Sequence, residues 1–154
     1  MQLYLVQHGE SKSKVEDPER PLTDKGRKDA ELVARYISER GIKVAQILHS
    51  GRPRAKQTAE IFARYLLPPK GFSEGSGLAP LDEPQMAKQL VEQAEKSLMI
   101  VGRLPHLSRL TSLLILGFPD EEIIKFRMGG VICLSREGER WSIKWTLVPE
   151  LVQR

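Results

Sequence analysis

Only one cysteine, Cys133, occurs in the 154 residues. It excludes an internal disulfide and any cysteine-rich metal site, and in its apolar setting it reads as core packing. Long hydrophobic runs are missing too. The stretch from Leu110 to Phe118 is far too short to span a bilayer, and the apolar opening is too short for a signal peptide and lacks a basic start, so no membrane and a cytoplasmic location are expected. Neither sign of charge dominates. Twenty-four Lys and Arg against twenty Asp and Glu leave a formal +4. The basic residues are scattered among acids rather than gathered on one face, which favours an anionic ligand and argues against nucleic acid. Linkers, internal repeats and low-complexity tracts are absent, and the length suits a single domain over 1–154. No metal and no cofactor are implied.

What the chain does contain begins with Leu3-Tyr4-Leu5-Val6-Gln7-His8-Gly9-Glu10. A β-prone run over Gln2–Gln7 ends at an imidazole, and the carboxyl ends of strands are where open α/β sheets build ligand sites. Gly9 is expected to let the backbone turn sharply and to leave room beside the ring. The polar segment Ser11–Pro21 reads as a surface loop. Thr23 reads as the cap of a helix carrying Ala30, Val33, Ala34 and Ile37 and ended by Gly41. A strand over Val44–His49 follows, then a helix from about Arg54 to Leu66 with Ala55, Thr58, Ala59, Phe62 and Leu66 inward, stopped by Pro68-Pro69. Lys70–Gly77 is expected to be a mobile loop without a motif. Pro84 opens a third helix with Met86, Leu90, Val91 and Ala94 inward. Ser97–Val101 is a buried strand, and Leu107, Leu110, Leu114 and Ile115 mark a fourth helix closed by Gly117. Val131–Leu134 and Trp141–Leu147 pair as a hairpin across Glu137-Gly138. Strands alternating with helices predict a three-layer α/β/α sandwich with a mostly parallel central sheet and a C-terminal hairpin.

Three strand ends deliver polar groups to one edge: His8, then Ser50 to Arg54, then Arg103. Guanidinium groups grip a tetrahedral oxyanion through paired hydrogen bonds, and helix-start amides add to the attraction. An Arg at a helix start, as at Arg54, opposes the helix dipole and calls for an anion nearby. A neutral imidazole in such a cradle can attack phosphorus and carry the phosphoryl group until water discharges it.

His8-Gly9-Glu10 after an apolar strand resembles the nucleophile motif of the histidine phosphatase superfamily, the phosphoglycerate mutase-like fold, whose usual form is Arg-His-Gly. Arg20-Pro21-Leu22-Thr23 with Gly26, then Ser50, Arg54-Ala55 and Gln57-Thr58-Ala59, resemble its small SixA-type branch of phosphohistidine phosphatases. Val101-Gly102-Arg103-Leu104-Pro105 is similar to the loop that carries that branch's second histidine, and the Gly130–Leu147 hairpin with Trp141 to its ending. Two positions depart from the pattern: Gln7 stands where the family carries Arg, and Arg103 where it carries His. The resemblance implies a phosphatase acting on a phosphorylated histidine of a protein partner through a phospho-His8 intermediate. Arg54 and Arg103 would act beside the nucleophile, and Gln7, Gly9, Arg20 and Ser50 would hold the phosphate. The two departures are read as a compensating exchange, Arg103 restoring the charge missing from position 7. A sugar-phosphate or nucleotide phosphatase of the same fold ranks below the phosphohistidine reading, and the alternative of another class is a catalytically silent phosphate-binding module of that fold. Asp82 and Glu83 lie in the right region for a general acid, but an acidic pair before Pro84 reads equally as a first-turn helix charge, and the general acid is left open. His106, in a first helical turn, is read as capping or packing rather than as a replacement for the lost histidine, and His49 as structural.

Overall fold

The computed structural model describes residues 1–152. In chain order its elements are β1 (Gln2–Gln7), α1 (Asp24–Glu39), β2 (Gln46–His49), α2 (Pro53–Leu66), β3 (Phe72–Glu74), α3 (Pro84–Gln93), β4 (Leu98–Gly102), α4 (His106–Leu116), β5 (Val131–Glu137) and β6 (Arg140–Leu147), with a short 3₁₀ turn at Pro149–Leu151. The sheet runs in the order β3-β2-β4-β1-β5-β6. The first four of these strands are parallel to one another, and β5 and β6 are antiparallel additions.

Period-two alternation along the strands divides the core into two layers. Tyr4, Val6, Ile47, Met99, Val101 and Cys133 face Ala30, Val33, Ala34 and Ile37 of α1 and Ala55, Ala59 and Phe62 of α2. Leu3, Leu5, Leu48, Ile100, Ile132 and Leu134 face Ala87 and Val91 of α3 and Leu107, Leu110 and Leu114 of α4. This is the α/β/α sandwich expected from the alternation of strands and helices. Every residue of β4 is buried, as its central place in the sheet requires. Cys133 is buried, with its thiol 3.0 Å from the Gln2 side-chain oxygen.

Caps set the helix ends. Thr23 Oγ1 accepts from the Gly26 amide at 2.9 Å and Asp24 occupies the first turn of α1, so the hydroxyl satisfies an amide the helix cannot. Gly117 closes α4 in the left-handed region at φ 87°, where a side chain would be strained.

Three expectations need correction. Within Lys70–Gly77 the chain is not a free loop. Phe72–Glu74 adds a parallel edge strand to β2, with Ile47 opposite Phe72 and His49 opposite Glu74. The ladder partners of an edge strand override a Gly- and Ser-rich local composition. The inner face of α3 is Pro84, Ala87 and Val91, while Met86 is half exposed and lies over Gly77, where a Cβ would come within 2.6 Å of the Met86 Cβ. Finally, Gly9 owes its place to packing rather than to a sharp turn or room beside the ring. A Cβ there would lie 2.8 Å from the Gly26 carbonyl oxygen, and one on Gly26 would collide with the Glu10 backbone. The two glycines let the start of α1 sit directly on the chain leaving β1.

Candidate active site

β1 hands His8 to the carboxyl edge of the sheet. Its amide donates to the Gly102 carbonyl of β4 at 3.1 Å, extending the β1–β4 ladder one residue beyond the strands. The side chain is 8% exposed. Its Nδ1 lies 2.6 Å from the Gly9 carbonyl oxygen. A carbonyl can only accept, so Nδ1 carries the proton and Nε2 is left with its lone pair. Burial, and then the charges of Arg54, Arg103 and Arg20, push the imidazole down to about 4, against the opposing pull of the Gly9 carbonyl. At neutral pH His8 is therefore an uncharged imidazole with Nε2 unprotonated, the form that attacks phosphorus.

Arg54 stands in the first turn of α2, 5% exposed. Its Nε is buried with no hydrogen-bond partner. Desolvation first, and then Arg103, Arg20 and Arg52, push its guanidinium down to about 10, which leaves it protonated at pH 7. Arg103 follows β4 and is half-buried. Its guanidinium is also pushed down, by burial and by Arg52 and Arg20. A buried cation facing other cations is costly unless an anion joins it.

Arg20 holds a left-handed backbone at φ 51°. Its guanidinium Nε donates to the Lys12 carbonyl at 3.1 Å, and the loop is closed at its base by the Ser11–Leu22 bridge and a Lys12 N–H to Pro21 O bond of 2.8 Å. Arg20 both edges the site and holds its loop. Lys14, Glu19, Arg20, Arg52, Arg54 and Arg103 line a cleft of about 230 Å³, between Pro18 and Pro53.

The other predicted residues are placed as follows. Ser50 donates its amide to Val101 O at 3.1 Å, and its hydroxyl is buried without a partner. Gly9 donates its amide to Thr58 Oγ1 at 3.0 Å, and that hydroxyl donates onward to Arg54 O at 2.8 Å. Gln7 is half-buried and held by backbone, opposite Gly102 and accepting from the Gly129 amide at 2.9 Å; like His8 and Ser50, it is not among the residues lining the cleft. Strand parity sets Gln7 on the Leu3–Leu5 side of the sheet, away from the α2 face that carries Arg54.

Asp82 Oδ2 accepts from the Ala79 amide at 3.0 Å and Glu83 lies 3.7 Å from Arg109, so both acids are engaged at the start of α3 and neither lines the cleft. His106 is fully buried at the first turn of α4, outside the cleft lining. His49 accepts from the Gly51 amide at 3.1 Å and packs against Phe72, a structural role. Lys14, Glu19 and Arg52 were not legible as site residues. Arg52 alone had a signal, lying two residues before Arg54 at the mouth of a helix. Among the described residues no three His, Cys, Asp or Glu gather as a metal site, and no helix is long and apolar enough to cross a membrane.

A family model described as histidine phosphatase superfamily (branch 1) matches residues 3–75, the segment holding His8, Arg20, Ser50 and Arg54. An uncharacterized protein of Picosynechococcus is 34% identical over 147 residues, covering 91% of this chain and 88% of that protein. The chain belongs to the histidine phosphatase superfamily. The serine/threonine-protein phosphatase PGAM5 of Xenopus tropicalis is 36% identical over 90 residues, 54% of this chain and 32% of that protein. Among solved structures, the protein histidine phosphatase SixA complexed with tungstate superimposes with a TM-score of 0.85 at 22% identity, over 99% of this chain and 100% of that one. A putative phosphohistidine phosphatase SixA from Agrobacterium tumefaciens gives 0.77 at 21%, over 96% and 97%. These likenesses place the fold within the superfamily's phosphoglycerate mutase-like architecture. Arg103 lies outside the matched segment, whereas Gln7 lies within it.

Proposed function

We propose that the protein is a phosphohistidine phosphatase of the SixA type, removing the phosphoryl group from a histidine of a protein partner. The observation that carries the reading is His8: a neutral imidazole, its Nδ1 tied to the Gly9 carbonyl at 2.6 Å, set among the guanidinium groups of Arg54, Arg103 and Arg20.

In this mechanism the Nε2 lone pair of His8 attacks phosphorus. A new N–P bond forms while the bond to the substrate nitrogen breaks. The departing imidazole keeps the bonding electron pair and takes a proton from solvent. Arg54 and Arg103 neutralise the oxygens on which charge builds, an effect usually worth ~10²- to 10³-fold in rate for each well-placed donor. Water then attacks phosphorus, loses a proton to solvent and releases phosphate, returning His8 to its neutral form. An imidazole leaves more readily than an alkoxide, which suits a cleft that neither Asp82 nor Glu83 reaches.

Incubation with a phosphorylated histidine-containing domain should release phosphate and trap an acid-labile phosphoryl group on the enzyme. Both signals should vanish in His8→Ala. The two departures from the family pattern, Gln7 and Arg103, favour a second reading, a phosphate-binding module without turnover. Binding of the phosphorylated domain without phosphate release or a His8 adduct would select it.

A further inference from the structure

The cleft holds more positive charge than one phosphoryl group can use. Four guanidinium groups and the Lys14 ammonium face a single carboxylate, Glu19, across about 230 Å³. Among the described residues none of these five cations lies within 4 Å of a carboxylate, since the ion pairs are Lys25–Asp29, Arg35–Glu39, Arg109–Glu83 and Lys125–Glu122. A phosphoryl dianion on His8 would neutralise two charges and leave the rest repelling one another.

The cations are also layered. Arg54 is buried with an unpartnered Nε, and its charge is felt most strongly at His8. Arg52 is exposed at the rim. Its charge acts on both Arg54 and Arg103, and it lines the same cleft from the exposed side. It precedes α2 with extended backbone (φ −72°, ψ 149°) and caps nothing with its side chain, while Pro53 at the first helical position fixes the direction of the chain. Among the described residues this guanidinium, which lines the cleft, has no carboxylate partner.

We propose that Arg52, with Lys14 across the cleft, forms a second-anion subsite, so that the preferred ligand carries another anionic group, phosphate or carboxylate, beside its phosphoryl group. The assignment rests on the reading that the inner half, around His8 and Arg54, takes a phosphoryl group. It adds a specificity element outside the residues that act on the reacting atoms.

The test is calorimetric binding of three probes, inorganic phosphate, pyrophosphate and phosphoglycolate, to the intact protein and to Arg52→Ala, with Arg140→Ala at the distant hairpin end as a control for simple loss of charge. At least one doubly anionic probe should bind the wild type about tenfold more tightly than orthophosphate, the worth of one charge-assisted pair. Arg52→Ala should remove most of that advantage, lowering affinity for that probe at least fivefold more than for orthophosphate. Arg140→Ala should lower all three alike and slightly. A larger Arg52 dependence for pyrophosphate identifies the second group as phosphate, and for phosphoglycolate as carboxylate. Orthophosphate binding with no Arg52-dependent gain for either larger probe would overturn the subsite and leave the inner site standing. Absence of orthophosphate binding would overturn both, and because none of these readouts needs turnover, a silent protein is still a fair test.

Discussion

Thr58 joins the loop that carries His8 to the helix that carries Arg54: its hydroxyl accepts the Gly9 amide at 3.0 Å and donates to the Arg54 carbonyl at 2.8 Å, with the side chain fully buried. One hydroxyl therefore sets how His8 and Arg54 stand relative to each other. Thr58→Val keeps the shape and strands a buried amide, a loss of about 1–3 kcal/mol. Thr58→Ser keeps both bonds. Denaturant unfolding should show the Val variant destabilised by that amount. Phosphatase assays should show its kcat falling more than its KM rises, with Ser restoring most of both. Equal kinetics for Val and wild type would remove Thr58 from any positioning role.

His8 should titrate far below an ordinary histidine. Its folded value is about 4 against 6.5, so between those values the unfolded chain binds the proton and the native site resists it. Stability is complete above pH 6.5 and falls as pH drops toward 4, by up to about 3 kcal/mol from this residue. His49 and His106 are lowered as well and act in the same direction. A carbon-bound proton resonance lost in His8→Ala should titrate near pH 4 in the free protein, and higher with saturating phosphate, whose charge opposes the arginines. A midpoint near 6.5 without ligand would contradict the buried, guanidinium-facing environment.

Anions should stabilise this protein. At a ligand concentration of 100 Kd the gain is about 2.7 kcal/mol, or a rise in Tm of roughly 5–10 °C for a chain of this length. Arg54→Met should abolish the rise produced by phosphate or tungstate. It should also leave the anion-free protein at least as stable as wild type, because the buried guanidinium faces like charge and long apolar residues replace such groups at little cost. Differential scanning calorimetry with and without the anion checks both.

Positions 7 and 103 should couple. The Arg103 charge acts on both His8 and Arg54; an arginine at position 7 starts from the Leu3–Leu5 side of the sheet and must reach round the end of β1 to add to that charge, and Gln7→Arg alone should then lower turnover. Gln7→Arg with Arg103→His should raise it above wild type. A double-mutant cycle on phosphate release would show a coupling of at least about 0.5 kcal/mol. Equal, negligible turnover in wild type and double variant would end the idea of compensation.

Much of this molecule was written locally. The 3.6-residue spacing of Ala30, Val33, Ala34 and Ile37, and of Ala55, Ala59 and Phe62, marks faces that are buried as expected, because a helix must bury its apolar stripe whatever its partner. The apolar run of β1 and the Thr23 cap depend on neighbouring residues alone, and His8, Ser50 and Arg103 stand just past strand ends, and Arg54 at a helix start, that periodicity locates. Long-range pairing decided the rest. Phe72–Glu74 is a strand because β2 offers it a ladder, and Gly9 and Gly26 are required because two segments touch. Arg52, Lys14 and Glu19 joined the cleft only once the Ser11–Pro21 loop and the start of α2 met across it. Spacing along a chain fixes which face a side chain takes on its own element, whereas which charges meet, and how strongly they repel in a desolvated cleft, depends on the packing of elements distant in sequence.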